Sequence, residues 1–168
     1  MQAARARAPA PTAMNLVSRL LPREHVVLGL DATSKKRLFE QIGLLFENSR
    51  QVPRARGFDS LFDREKLGST GLGYGVAIPH GKLAEIKELF GLFARLDEPV
   101  DFDAIDEQPV DLVFLLLAPE GAGADHLKAL ARVARLLRDP EIARKLRDSR
   151  DADALFAVLA MPPASSAA

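Results

Sequence analysis

The chain has 168 residues, of which 48% are apolar and 27% charged, a composition typical of a single soluble domain. Its 23 basic and 23 acidic residues balance to a net charge of zero, which argues against broad contact with nucleic acid or anionic lipid. It contains no cysteine, which excludes disulfides and cysteine-ligated metals and is compatible with a reducing compartment, so we expect a cytoplasmic protein.

The longest apolar runs and both ends of the chain set the limits of the folded part. Residues 112–118 and 154–161 are far shorter than the roughly 20 apolar residues of a membrane helix, so we expect no membrane insertion. Residues 1–13 are rich in Ala, Arg and Pro and lack the apolar segment of a secretory signal. We therefore predict a disordered leader over 1–13, one domain over 14–161 and a disordered tail over 162–168.

The first part of the domain predicts one strand and two helices. Residues 25–30 are typical of a short strand, and Ser34 is a typical N-cap for the helix that follows. The second helix ends near Gly68, and residues 68–75 are predicted as a loop that leads to a short apolar stretch at 76–78. Apolar residues recur at helical spacing, at Leu38, Ile42, Leu45 and Phe46 in the first helix and at Phe58, Leu61, Phe62 and Leu67 in the second.

The second part predicts two longer strands and three helices. Residues 89–96 are typical of a strand, and 111–118 form the nearly continuous apolar run of a central strand covered on both faces. A helix begins at Pro140, and the last begins at Asp151 or Asp153. The long helix before them has an apolar stripe of Leu127, Leu130, Ala131, Ala134 and Leu137, with Arg132, Arg135 and Arg138 off it. This alternation predicts an α/β sandwich, a mixed central β-sheet of about five strands flanked by helices.

Two stretches have a strong local charge. Residues 97–111 contain seven carboxylates and no Lys or Arg, and residues 128–150 contain eight basic and three acidic residues. The first is best explained as a solvated loop, with a docking surface for a basic partner as the alternative. The second is best explained as a solvated helix face.

A glycine-rich segment, residues 64–82, holds five of the eleven glycines. Exposed N–H groups there, together with the Ser69 and Thr70 hydroxyls, would suit an anion, which makes these two residues candidates for a phosphate-binding loop. Nucleotide motifs fail: five residues instead of four separate Gly75 from Gly81, and the position of the third dinucleotide glycine is occupied by Val76 or Ile78, depending on the pair counted.

The histidines are the candidate reactive groups. His80 follows a short apolar stretch and lies between Pro79 and Gly81, where a neutral imidazole would be an accessible nucleophile; an ordinary turn residue is the alternative. His126 starts the long helix after the central strand, where ligands bind in α/β sheets, although an exposed first-turn residue fits equally. His25 is expected at the surface. A metal site would lack an identifiable third ligand, and no G-x-S-x-G nucleophile motif is present.

Three strings carry a family resemblance: REKLGSTGLGYGVAIPHGK, FDAIDEQPVDLVFLLLAP and HLKALARVARLL. Together they resemble the type 2 EIIA family of the bacterial phosphotransferase system, over about residues 16–159. Within it they are most similar to the nitrogen-regulatory branch, EIIA-Ntr. That narrower resemblance rests on FDAIDEQPVDL and on the lack of a fused EIIB or EIIC portion.

The resemblance implies a phosphohistidine carrier without cofactor or metal. It implies that His80 accepts a phosphoryl group from an HPr-like carrier (NPr), and that His126 and Arg64 stabilise the group. Regulated partners in such a branch would include potassium transport proteins and sensor kinases. Two alternatives stay open: a fructose- or mannitol-type EIIA that passes phosphate to an EIIB domain, and a binding module whose site is vestigial.

Overall fold

The computed structural model describes residues 16–160, so the predicted leader and tail lie outside the described residues. The helices are α1 (Leu16–Leu20), α2 (Lys35–Arg50), α3 (Arg54–Lys66), α4 (Ala124–Arg138), α5 (Pro140–Asp148) and α6 (Ala152–Ala160), with a 3₁₀ turn at Arg23–His25. The strands are β1 (Val26–Leu30), β2 (Gly71–Gly73), β3 (Val76–Ala77), β4 (His80–Leu83), β5 (Phe90–Val100) and β6 (Val110–Pro119). Among these helices, none is long and apolar enough to cross a membrane.

The strands form one mixed sheet, which confirms the predicted α/β sandwich. Its order is β1-β5-β6-β3-β2. β4 also pairs with β6, further along β6 than the residues that pair with β3. β6 lies antiparallel to β5 and parallel to β3 and β4, while β1 lies parallel to β5. The described sheet has six strands rather than about five, and two of them were not assigned from the sequence. The short strand β2 lies within the segment predicted as a loop over 68–75, and β4 follows the apolar stretch at 76–78.

β6 is the central strand that its apolar run predicted. Its side chains alternate between two cores, as successive residues of a strand must. Val113, Leu115 and Leu117 pack with α2 and α3, whereas Leu112 and Phe114 pack with α4, α5 and α6. All five side chains are fully buried, so helices cover both faces of the sheet.

Local sequence signals place the helices. The Ser34 hydroxyl accepts a hydrogen bond from the Arg37 N–H at 3.1 Å, which confirms the predicted N-cap of α2. Asp139 caps α5 in the same way, with Pro140 in the first turn. Gly43 allows α2 and α3 to pack closely, since a Cβ there would lie 2.8 Å from the Arg54 carbonyl oxygen.

Four side-chain placements differ from the sequence predictions. Leu67 and Leu127 were assigned to apolar stripes, but they are 83% and 68% exposed, and Ala131 of the predicted stripe is exposed as well. The stripe of α4 is rotated, and its buried residues are His126, Ala129, Val133 and Leu137. His25 is not at the surface, because its Nδ1 donates to the Gly91 carbonyl oxygen at 2.8 Å and its ring packs on Phe90.

Candidate active site

His80 lies at the first position of β4, directly opposite Leu116 of the central strand. Its Nδ1 lies 2.9 Å from the Ile78 carbonyl oxygen. A carbonyl oxygen only accepts hydrogen bonds, so Nδ1 carries the ring proton of the neutral imidazole and Nε2 keeps the lone pair. The backbone thus fixes Nε2 as the nitrogen of His80 that has a free lone pair.

Gly81 brings β4 against α3. A Cβ at this position would lie 2.1 Å from Ser60 Oγ and 3.0 Å from the Ser60 carbonyl oxygen, so only glycine fits without displacing α3. The Ser60 hydroxyl also donates to the Lys82 carbonyl oxygen at 3.0 Å. This close approach sets the distance between His80 on β4 and the residues of the last turn of α3.

His126 lies in the first turn of α4 and faces His80. The two ring centroids are 5.7 Å apart and the ring planes are inclined by 70°. His126 is only 4% exposed, and its Nε2 is a buried atom with no hydrogen-bond partner among residues 16–160. An unpaired buried polar atom costs about 1–3 kcal/mol, so a ligand group that bonded to this nitrogen beside His80 would remove that cost.

Arg64 occupies the last turn of α3 and is half-buried. Its Nη1 donates to the Gly68 carbonyl oxygen at 2.8 Å, and within the described part of the chain it forms no ion pair with a carboxylate. Its charge is therefore not neutralised by a neighbouring side chain. The next residue, Glu65, is buried and accepts hydrogen bonds from Lys35 and from Thr70, which ties the end of α3 to the glycine-rich segment.

Arg64, His80 and His126 line one groove of about 780 Å³ between α3, β4 and the start of α4. Lys82 also lines the groove, and it was not among the site residues predicted from the sequence. The strand alternation would have identified Lys82, because it lies two residues after His80 on β4 and side chains two apart on a strand share one face. The exposed side chains Leu67 and Leu127 form an apolar rim beside the groove.

Both histidines of the groove favour the neutral form. Burial lowers the pKa of His80 below its ordinary value, and the nearby Arg64 charge lowers it further. The hydrogen bond to Ile78 and the Glu65 charge raise the pKa, but the lowering effects are larger. Burial likewise lowers the pKa of His126, assisted by His80 and Lys82. At neutral pH His80 therefore presents an unprotonated, nucleophilic nitrogen.

The predicted phosphate-binding hydroxyls are not brought to the groove. The Ser69 hydroxyl donates to the Phe102 carbonyl oxygen at 2.5 Å and accepts from the Gly71 N–H. The Thr70 hydroxyl donates to Glu65 at 2.7 Å, inside the protein. Glycine spacing alone did not reveal that these hydroxyls anchor the loop to its own surroundings.

Comparisons with known proteins give a consistent result. Residues 19–161 match the family described as "Phosphoenolpyruvate-dependent sugar phosphotransferase system, EIIA 2". The chain is 57% identical over 156 residues to a nitrogen regulatory protein of Bradyrhizobium diazoefficiens, covering 90% of this chain and 99% of the relative. It is 42% identical over 144 residues to the nitrogen regulatory protein of Escherichia coli, covering 85% and 88%. The crystal structure of nitrogen regulatory protein IIA-Ntr from Neisseria meningitidis superposes with a TM-score of 0.82 at 47% identity, covering 86% and 99%.

Proposed function

The chain belongs to the EIIA type 2 family of the phosphoenolpyruvate-dependent sugar phosphotransferase system, and from that premise we propose that it is a phosphohistidine carrier of the nitrogen-related branch. In this proposal His80 accepts a phosphoryl group from an HPr-like carrier protein (NPr). The nitrogen branch is favoured by relatives with 57% and 42% identity that are named nitrogen regulatory proteins. Such a family membership implies phosphoryl transfer, and the residues of the groove supply the parts it needs.

The observation that carries the proposal is the unpaired, buried Nε2 of His126 beside His80. The Nε2 lone pair of His80 attacks phosphorus, a new N–P bond forms, and the N–P bond of the donor's phosphohistidine breaks. The electron pair of that bond returns to the donor imidazole. Transfer between two imidazoles needs in-line positioning and charge stabilisation rather than covalent help.

Two groups of the groove are suited to bind the phosphoryl oxygens. His126 Nε2 can donate once it carries a proton, and Arg64 keeps a guanidinium that no side-chain carboxylate among the described residues neutralises. Hydrogen bonds to a charged group contribute about 1.5–3 kcal/mol each. Lys82 adds a positive charge on the same strand face as His80.

Phosphorylation also supplies the regulatory signal. A phosphoryl group adds about −1.5 to −2 charges at neutral pH. Here that charge would stand in a groove with an apolar rim formed by Leu67 and Leu127, so a partner that packs on this rim would distinguish the two forms. Proteins of potassium transport and sensor kinases are the partner classes we propose for such regulation.

The test is the intact mass of the chain after incubation with phosphoenolpyruvate, enzyme I and an HPr-type carrier. We expect one added phosphoryl group, stable at alkaline pH, labile in acid and absent from His80→Ala. His126→Gln is the matched control in the same groove, and it should accept the group more slowly. Normal phosphorylation of His80→Ala would contradict the site assignment. Rapid onward transfer to an EIIB domain would instead support the sugar-specific alternative.

A further inference from the structure

A second groove, of about 1000 Å³, lies between α1, the segment before β5, and α4. It is separate from the histidine groove in its lining residues. Its distinctive feature is a set of five exposed cations, Arg19, Lys87, Lys128, Arg132 and Arg135. Among the described residues, two carboxylates line the same groove, Glu88 and Asp125, in a chain whose total charge is zero.

These five cations have no hydrogen-bond or ion-pair partner within residues 16–160. Other cations of the fold do: Lys35 pairs with Glu65, and Arg147 pairs with Asp111 at 2.8 Å. Three of the five follow one another along α4 at intervals of four and three residues, where like charges repel. A ligand that brings carboxylates would relieve this repulsion, so the groove is electrostatically complementary to an acidic partner.

Part of the wall between the cations is apolar. Leu20 contributes from α1, Leu89 from the position directly before β5, and Ala131 lies between the cations on α4. From Lys128 to Arg135 the helix extends roughly 10 Å, at about 1.5 Å per residue. No aromatic side chain lines the groove among the described residues, so a nucleobase would find nothing to stack on.

We propose that this groove docks an acidic, amphipathic segment of a partner protein. Glutamate or aspartate side chains of that segment would pair with the five cations. Its apolar side chains would pack on Leu89 and Ala131, the accessible apolar residues of the wall. Residues 1–15 and 161–168 are unsuitable as the occupant by sequence, because the first segment carries two Arg and no acidic side chain, and the second carries no charged side chain. The docking needs no phosphoryl group, so it stands or fails separately from transfer at His80.

The test is fluorescence anisotropy of a labelled amphipathic peptide of glutamate and leucine, titrated with the full chain. The test variant is Arg132→Glu with Arg135→Glu, and the matched control is Lys36→Glu with Arg138→Glu, which has the same net charge but lies outside the groove. We expect binding that weakens by about tenfold or more in the test variant and about twofold or less in the control. Circular dichroism of both variants verifies that each is folded.

Four results would overturn the proposal. Equal weakening in both variants would mean that only net charge attracts the peptide. No binding by the unaltered chain would mean that the groove does not dock an acidic amphipathic segment. Displacement of the peptide by inorganic pyrophosphate at lower concentration would identify a small polyanion as the ligand. Sedimentation that shows a dimer lost only in the test variant would identify a second copy of this chain, through its acidic residues 97–111, as the occupant.

Discussion

His126 is a buried histidine with an unpaired Nε2, and its replacement by leucine should separate stability from phosphoryl transfer. Leucine has a similar size and no polar atom to leave unsatisfied. The substitution removes a penalty of about 1–3 kcal/mol, so the free energy of unfolding should rise, by about 1 kcal/mol once imperfect packing is allowed for. The same change deletes a hydrogen bond to the phosphoryl group worth about 1.5–3 kcal/mol, which corresponds to transfer slower by about 10- to 150-fold.

His25→Leu is the matched control for the stability arm. His25 is also buried, at 7% exposure, but its Nδ1 donates to the Gly91 carbonyl oxygen and its Nε2 lies 3.2 Å from Ser49 Oγ. Leucine there would leave a buried carbonyl oxygen unpaired, so we expect a loss of about 1–3 kcal/mol instead of a gain.

Urea unfolding at pH 7 measures both free energies of unfolding, and rapid-quench phosphorylation by the HPr-type carrier measures transfer. The two leucine variants should shift in opposite directions in stability, and only His126→Leu should be slow in transfer. If His126→Leu lost as much stability as His25→Leu, the buried nitrogen would not be unsatisfied in solution. If transfer were as fast as in the unaltered chain, His126 would not contact the phosphoryl group.

Three further results are expected. Gly81→Ala should lower the free energy of unfolding by about 1–3 kcal/mol and slow phosphorylation, because its Cβ would lie 2.1 Å from Ser60 Oγ. Ser60→Gly in the same chain should restore part of the stability and part of the rate. An unaffected Gly81→Ala would refute the close packing of β4 on α3. Arg95→Met should lower the free energy of unfolding, measured in urea, by about 1.5–3 kcal/mol. The reason is that the Arg95 guanidinium donates to three carbonyl oxygens at the end of α5, the Ser149 oxygen among them at 2.7 Å. A loss near zero would show that water replaces the guanidinium. All three histidines have a lowered pKa in the folded chain, chiefly through burial, so the unfolded chain binds more protons. Stability should therefore fall as the pH drops through 6.5 towards the lowered pKa values of the folded state. A urea midpoint that stays constant between about pH 8 and pH 5 would contradict this.

The sequence was most informative where one physical rule decides the outcome. The apolar run of β6 required cover on both faces, and the structure provides it. The Ser34 cap and the apolar residues after it placed α2 closely, because capping and helical periodicity agree there. The two groove histidines were also recognisable as candidates, since His80 lies between Pro79 and Gly81 after an apolar stretch, and His126 starts the long helix after the central strand.

What the sequence did not predict depends on contacts between distant segments. Leu67 and Leu127 obey helical spacing, and periodicity does not distinguish a core position from the rim of a groove. His25 became a core residue only through Gly91 and Phe90, more than sixty positions away. The hydroxyls of Ser69 and Thr70 anchor the loop to Phe102 and Glu65, partners that a glycine pattern cannot identify.

The meeting of the two groove histidines is a consequence of β6. His80 pairs with Leu116, and the parallel ladder continues until Leu83 stands opposite Pro119. The Glu120 N–H then donates to the Leu83 carbonyl oxygen at 3.2 Å, and after one short turn α4 begins. β4 and the end of β6 run side by side, so α4 starts close to β4. The first turn of α4 therefore places His126 next to His80. Residues forty-six positions apart thus become neighbours through one strand, which explains why neither histidine alone indicated the site.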